Sequence, residues 1–190
     1  MSDAAGELEV VAVLVATDPK SILSHPVDQL SIDLAGVVGD RHYGLTLPSN
    51  SRQARYYPRG TPIRNRRQLS LVAEEELEEV RAALDLPDVR PQELGANVQV
   101  RGMPELSSLS NGARLMFDSG LGLVCEGVNQ PCRLPVQELQ RRHPDHPSAN
   151  QFVRHAFGRR GIVASVEYPA PLRAGDRAAV YLPELHATLV

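Results

Sequence analysis

Leu121-Gly122-Leu123-Val124-Cys125-Glu126-Gly127-Val128-Asn129-Gln130-Pro131-Cys132 is an apolar run that ends in a polar pair and a Pro-Cys step. Its apolar part, Leu121 to Val128, has strand length and turn signals on both sides. Upstream, Asp118-Ser119-Gly120 reads as a hairpin connection to Leu115-Met116-Phe117. Working outward, Gly161 to Glu167 and Ala178 to Leu182 read as two further strands, joined through Pro169, Pro171 and Gly175-Asp176. Toward the N-terminus, Leu8 to Ala16 is a buried strand with four valines, and Leu30 to Leu34 alternates apolar and polar residues before a turn bracketed by Gly36 and Gly39. Gln68 to Ala73 and Ala96 to Val100 complete the set. Between them, Glu74-Glu75-Glu76 suits the positive end of a helix running to about Leu84, with Leu77, Val80 and Leu84 as its apolar stripe. Val136 to His143 and Ala149 to Phe157 read as two short helices, separated by Pro144 and Pro147. About eight short strands with two or three helices predict a mainly β fold with helical inserts: a closed or partly open barrel rather than a βαβ sheet.

A chain of 190 residues suits one domain, 1–190, with its core over about 10–182. Hydrophobic content of 42% and charged content of 23% are those of an ordinary globular protein. With aromatics at 4% and no Trp, the core must rest on Val, Leu, Ile and Ala. Two cysteines make no disulfide framework and point to a reducing, cytoplasmic setting. Met1 to Glu9 carries acids and no basic n-region, unlike a signal peptide, and no apolar run has the length of a membrane span. Lys20 is the only lysine, which leaves one candidate for Schiff-base chemistry; no pyridoxal phosphate is expected.

Charge is uneven along the chain. Between Asp40 and Glu74 there is no acid, yet this stretch holds Arg41, Arg52, Arg55, Arg59, Arg64, Arg66 and Arg67. The remainder, which keeps all 23 acids, therefore stands at −10 in a chain of net −3. Pro48, Pro58, Gly60 and Pro62 mark the stretch as a long loop, and loops of this length are commonly functional. Arginine suits phosphate, because its planar fork donates paired hydrogen bonds. Tyr56 and Tyr57 offer stacking faces for RNA, but the acidic remainder argues against nucleic acid and for one phosphate-bearing small molecule.

The two thiols read differently. Cys125, within the strand, is core packing. Cys132, at the strand exit behind a proline, is placed as a nucleophile or soft metal ligand, with Arg133 and the basic loop favouring its thiolate. Its alternative is a small buried hydrophobe. A zinc site from Cys125, Cys132, His143 and His146 would need spacings outside the common ranges. His42 is either a proton donor or a turn residue; His25, His143, His146, His155 and His186 show no arrangement that demands chemistry.

Several motifs then stand in order: Lys20-Ser21, Gly39-Asp40-Arg41-His42-Tyr43-Gly44, Asn65 to Val72, Leu94-Gly95-Ala96-Asn97-Val98, Asn129-Gln130-Pro131-Cys132, Arg160-Gly161 and Arg173 to Arg177. In this order they resemble the MOSC domain, the module named after the C-terminal part of molybdenum cofactor sulfurases, from about Val10 to Leu182. The resemblance implies a MOSC-type β-barrel similar to the pyruvate kinase barrel domain. It also implies a cysteine that carries sulfur or ligates molybdenum, with basic side chains on the pterin phosphate. Relatives include the mitochondrial amidoxime reducing component and bacterial reductases of N-hydroxylated bases.

Carried over by position, Cys132 is the catalytic thiolate and the metal ligand. The resemblance implies that Lys20, Ser21, Arg41 and Asn97 bind the cofactor, and that the cofactor is molybdopterin-bound molybdenum. This chain has Gly95 where cofactor-binding relatives often have an arginine, and Asn129 and Gln130 where some reductases carry hydroxyls. As a reductase it would need an electron-donor protein; as a sulfur carrier it would need a cysteine desulfurase. A different class of reading is a non-enzymatic module that binds a phosphorylated small molecule.

Overall fold

The computed structural model describes residues 4–184; residues 1–3 and 185–190, with His186, lie outside the described part. In chain order the elements are β1 (Gly6–Val15), β2 (His25–Val27), β3 (Gln29–Leu30), β4 (Ile32–Asp33), β5 (Gly36–Val37), β6 (Thr46–Pro48) and β7 (Pro62–Arg64). They continue with β8 (Leu69–Ala73), α1 (Glu74–Leu84), β9 (Val98–Arg101), β10 (Arg114–Phe117), β11 (Gly122–Val128), α2 (Arg133–Arg142), α3 (Phe152–His155), β12 (Ile162–Tyr168), β13 (Leu172–Arg173) and β14 (Arg177–Tyr181).

Seven of these strands close a barrel in the order β14-β10-β11-β12-β8-β9-β1, and β1 pairs back onto β14. Closure leaves the barrel without a free edge. The valine-rich β1 is long enough to serve three partners: β14 along Gly6–Glu9, β9 along Glu9–Val13 and β2 along Val13–Val15. All barrel pairs are antiparallel except β8 with β9. A parallel pair needs a crossover, and α1 lies in that connection.

Two cores share the wall between them. Inward positions on alternate residues fill the barrel: Leu8 and Val10 on β1, Leu115 and Phe117 on β10, Leu123 and Cys125 on β11, Ile162, Ala164 and Val166 on β12. A second core lies outside the barrel, where Leu77, Val80 and Leu84 of α1 meet Leu139 of α2, Phe152 of α3 and Val72 of β8. Thus β8 is buried on both faces, which explains why its sequence reads as unbroken burial. Leu69, Leu71 and Ala73 face the barrel, while Val72 faces the helices.

The structure corrects several local expectations. Leu30–Leu34 is not one strand: β3 pairs with β13 and β4 with β5, so the chain turns between them. The arginine-rich stretch is not an open loop, because β6 and β7 form a two-stranded ribbon closed by a short 3₁₀ turn at Ser51–Gln53. Helix α2 starts at Arg133 rather than Val136, directly after Cys132. Only Phe152–His155 of the third predicted helix is α-helical, with a 3₁₀ turn before it. No helix among the described residues is long and apolar enough to cross a membrane.

Candidate functional site

Where β11 leaves the barrel, the chain must turn from the barrel wall toward the second core. Val128 pairs with Ile162, Asn129 accepts this turn by donating its backbone N–H to the Gly161 carbonyl, and Cys132 sits at the cap position of α2. Gly161 holds a left-handed backbone (φ +78°) against β8; a Cβ there would lie 1.8 Å from the Leu71 carbonyl oxygen. No side chain fits, so the Arg160-Gly161 pair is fixed by packing and Arg160 is delivered beside the strand exit.

The result is a cavity of about 410 Å³, within the usual range for small-molecule sites. Cys132, Arg41, His42, Arg52, Arg67, Ser70, Asn129 and Arg160 line it with apolar Ile22, Leu47, Leu69, Leu134 and Val163. Among the described residues no aspartate or glutamate lines it. An excess of fixed cations without counter-charge in one concavity favours an anionic guest.

Cys132 is half-buried and Cys125 is fully buried; both thiols are free. The Cys125 Sγ lies 3.7 Å from the Leu109 carbonyl, and burial pushes its pKa up. Cys125 therefore packs the barrel, and it does not meet Cys132, His143 or His146: His143 pairs with Asp88 at 3.1 Å, and His146 lies on the Asp85 carbonyl. The four-residue zinc arrangement is not assembled among the described residues.

Arg160 is only 5% exposed. Its Nη2 donates to the Leu94 carbonyl at 2.7 Å, and its Nε has no partner among the described residues. Arg67 donates Nη2 to the Asn129 Oδ1 at 2.8 Å, and the Asn129 Nδ2 donates to the Ser70 Oγ at 2.9 Å. Burial lowers the Arg67 pKa to about 10, aided by repulsion from Arg52 and Arg160 and opposed by Cys132. Burial likewise lowers Arg160 to about 10, with Cys132 opposing and Arg52 adding to the fall. At such values both stay charged at neutral pH, as guanidinium does in proteins.

A second wall is built on Asp40, whose side chain is fully buried. One carboxylate oxygen accepts from the His42 N–H at 2.8 Å and lies 3.1 Å from the His42 Nδ1. The other accepts from the Ala16 N–H at 2.9 Å and from the Asn97 Nδ2 at 2.8 Å. Burial pushes the Asp40 pKa up, but the bonds from the His42 ring, Ala16 and the His42 backbone outweigh it, and the net pKa is lowered. His42, exposed on the cavity wall, is thus an oriented imidazole as well as a turn residue.

The residues expected to bind a cofactor separate into three groups. Cys132 and Arg41 line the cavity. Lys20 is exposed, and Ser21 is half-buried with its hydroxyl accepting from the Leu23 N–H; the two lead into Ile22 on the cavity wall, and Arg41 donates Nη1 to the Ser21 carbonyl. Asn97 is not among the cavity-lining residues: it is 1% exposed, its Oδ1 accepts from the Ser70 N–H at 3.0 Å, and its Nδ2 donates to Asp40. It helps to hold Asp40 in place.

Gly95, where relatives often have arginine, is left-handed (φ +63°), and a Cβ there would lie 2.7 Å from Ile22 Cγ1 and 2.8 Å from the Ile22 carbonyl. Arg52 and Arg67 came from the arginine-rich stretch without being told apart from its other arginines, and Arg160 was not read as a cavity cation. Arg67 and Arg160 lay in quoted motifs, and only their burial without an acid partner marks them.

A family model described as the MOSC domain matches residues 40–179, most of the chain. The protein belongs to the MOSC domain family, and the closed barrel, arginine cavity and Pro-Cys turn are its version of that fold. YuaD of Bacillus subtilis (strain 168), whose name assigns it to metal-sulfur cluster biosynthesis, is 45% identical over 169 residues, covering 88% of each chain. A crystal structure of the YuaD protein from Bacillus subtilis superposes with a TM-score of 0.88 at 41% identity, covering 94% of this chain and 97% of that one. YiiM from Geobacillus stearothermophilus superposes with a TM-score of 0.59 at 16% identity, covering 93% of this chain and 75% of that one, which shows a shared fold.

Proposed function

We propose that this protein holds the molybdenum cofactor in the arginine-lined cavity, with the Cys132 thiolate as the metal's protein ligand. One observation carries the reading: Arg160 is buried in the wall of the cavity that Cys132 also lines, and among the described residues its Nε has no partner and no acid lines that cavity. A buried charge without a partner is costly unless an anion completes it. The donor set fits the group, since a soft thiolate suits molybdenum and guanidinium suits a pterin phosphate.

When bound, the cofactor supplies a metal centre for two-electron reduction of substrates such as N-hydroxylated compounds. The protein's own residues do the rest. Arg41, braced on the Ser21 carbonyl, and Arg67, braced on Asn129, present fixed cations to the anionic ends of the guest. His42, held by Asp40, can give or take a proton at the cavity wall. Ile22, Leu47, Leu134 and Val163 make the apolar part of the wall. Electrons must come from a partner protein, and the reading calls for a reducing, cytoplasmic setting.

Metal analysis tests this on protein made in a host with confirmed cofactor supply. Near-stoichiometric molybdenum in the native protein, lost in Cys132→Ser, supports the assignment. Absence of molybdenum from the native protein overturns it. Ligand binding that survives Cys132→Ser unchanged would instead favour a phosphate-binding module.

A second reading has its own support. Cys132 is half-buried rather than sealed, and YuaD is named for metal-sulfur cluster biosynthesis. On this reading Cys132 carries sulfane sulfur as a persulfide, loaded by a separate desulfurase. The thiolate attacks the outer sulfur of the donor's persulfide, a new sulfur–sulfur bond forms at Cys132, and the donor leaves as its thiolate.

A further inference from the structure

We infer that Cys132 with Arg52, Arg67 and Arg160 is a sulfane-sulfur transfer site that takes a small anionic donor of the thiosulfate class. This rests on the sulfur-carrier reading and names the donor that the site itself can activate.

The geometry separates the cavity cations into two sets. Arg41 is braced on the Ser21 carbonyl, on the wall built by Asp40 and His42. Arg52, Arg67 and Arg160 form the other set: they line the cavity with Cys132, Arg67 is tied to Asn129 on the turn that leads to Cys132, and Arg160 precedes Gly161, whose carbonyl accepts from the Asn129 N–H. Arg67 and Arg160 each make one protein hydrogen bond from a terminal nitrogen, to Asn129 and to Leu94. Among the described residues, most of their N–H groups, the Arg160 Nε included, have no protein acceptor. Cys132 also precedes the ten-residue helix α2, whose first turn receives no side-chain cap.

A protein-bound persulfide needs little of this positive charge. An anionic donor needs all of it, because a thiolate must approach a dianion. Attack by the Cys132 thiolate on the outer sulfur of thiosulfate forms a sulfur–sulfur bond at Cys132 and breaks the one in the donor. The bonding pair leaves on sulfite, the thiol sulfur is oxidised to the persulfide level, and the donor's sulfone-like sulfur is reduced by the same pair. Three negative charges stand on each side of the step: thiolate and thiosulfate before it, persulfide anion and sulfite after it. The guanidiniums offset the repulsion on approach and stabilise the departing sulfite, as preorganised donors do for developing anions. Nothing beyond the donor is consumed.

The test incubates reduced protein with thiosulfate alone and, separately, with inorganic polysulfide. Intact-mass analysis reads sulfur added at Cys132, and a sulfite assay reads the leaving group. Expected is one sulfur added per chain with matching sulfite, none in Cys132→Ser, and a rate lowered at least tenfold in Arg67→Gln. Arg52→Gln, at an exposed position, gives a smaller loss and guards against misfolding. Alkylation of Cys132 by neutral iodoacetamide should change far less in either arginine variant. Loading from polysulfide but not from thiosulfate overturns this inference and leaves the sulfur-carrier reading standing. Failure with both donors overturns both. Equal loss toward thiosulfate and iodoacetamide in the arginine variants also overturns it, since the arginines would then govern only access to the thiol.

Discussion

Cys125 and Cys132 sit on either side of one strand exit, yet they live in different solvents. Cys125 points into the barrel among Leu115, Leu123 and Ile162, where burial raises its pKa. Cys132 stands outside the barrel, half-buried in a cavity whose nearest charges are arginines. The chain around them explains the difference. Inside β11, strand alternation sends every second side chain into an apolar core. Beyond Val128 that alternation ends, and Asn129 ties the chain to Gly161 so that the next side chains line the seam between barrel and helices. The barrel interior is built to exclude charge; the seam is built to concentrate it.

The largest expected effect comes from breaking the wall that both regions share. Gly161→Ala would drive a Cβ into the Leu71 carbonyl and displace Arg160 and β8 together. We expect a loss of about 4 kcal/mol or more, read by urea unfolding. A loss below about 1 kcal/mol would show that the seam relaxes without strain and that Arg160 is not fixed by it.

Asp40→Asn should cost about 2–3 kcal/mol, because the amide would turn donors toward the Ala16 N–H and the Asn97 amide. The sign of its pH dependence follows from the lowered pKa of Asp40. Ionised Asp40 contributes stability above its unfolded pKa, near the ordinary value of 3.8, and the contribution is lost as pH falls through the lower folded value. Wild type should therefore lose this increment below about pH 4, and Asp40→Asn should lack it at every pH. An unchanged acid limb in the variant would remove Asp40 as its source.

Swapping the thiols sharpens the comparison directly. Cys125→Ser places a hydroxyl in the barrel core and should cost about 1–3 kcal/mol while leaving native thiol labelling intact. Cys132→Ser should do the reverse: stability within about 0.5 kcal/mol of wild type and native labelling abolished. Equal labelling of both thiols in the native protein would erase the distinction.

A small net effect on stability is also expected at the buried cation Arg160. Arg160→Met removes an incompletely paired buried charge along with its bond to Leu94, and the two changes oppose each other. We expect a net change within about 1 kcal/mol, because buried charges often exchange for apolar groups at little cost. Inorganic phosphate should raise the thermal midpoint of wild type and leave that of the variant unmoved. A phosphate shift that persists would place the anion site elsewhere in the cavity.

How much of this was legible differs from one part to the other. The strands Leu8–Ala16, Gln68–Ala73 and Leu121–Val128 announced themselves, because burial on one or both faces forces a pattern of apolar residues that local reading detects. The ribbon of β6 and β7 did not, because its pairing of Leu47 with Ile63 spans a stretch whose prolines and arginines read as loop. Arg41 and Cys132 were legible through their motifs. The motif also pointed to Asn97, but its contact with Asp40, 57 residues away in the chain, was not legible, because only folding brings the two together.

The sequence by itself determined the main barrel strands, the single lysine, the acid-free arginine stretch and the Pro-Cys step at a strand exit. These are local facts, written in spacing and composition. Only the tertiary structure decided that β1 closes onto β14, that Arg160 and Arg67 line one cavity, and that one of two cysteines is sealed away. The reason is physical: burial and charge proximity are set by pairing residues far apart in the chain, and a guanidinium without a carboxylate can be recognised only once its neighbours are in place.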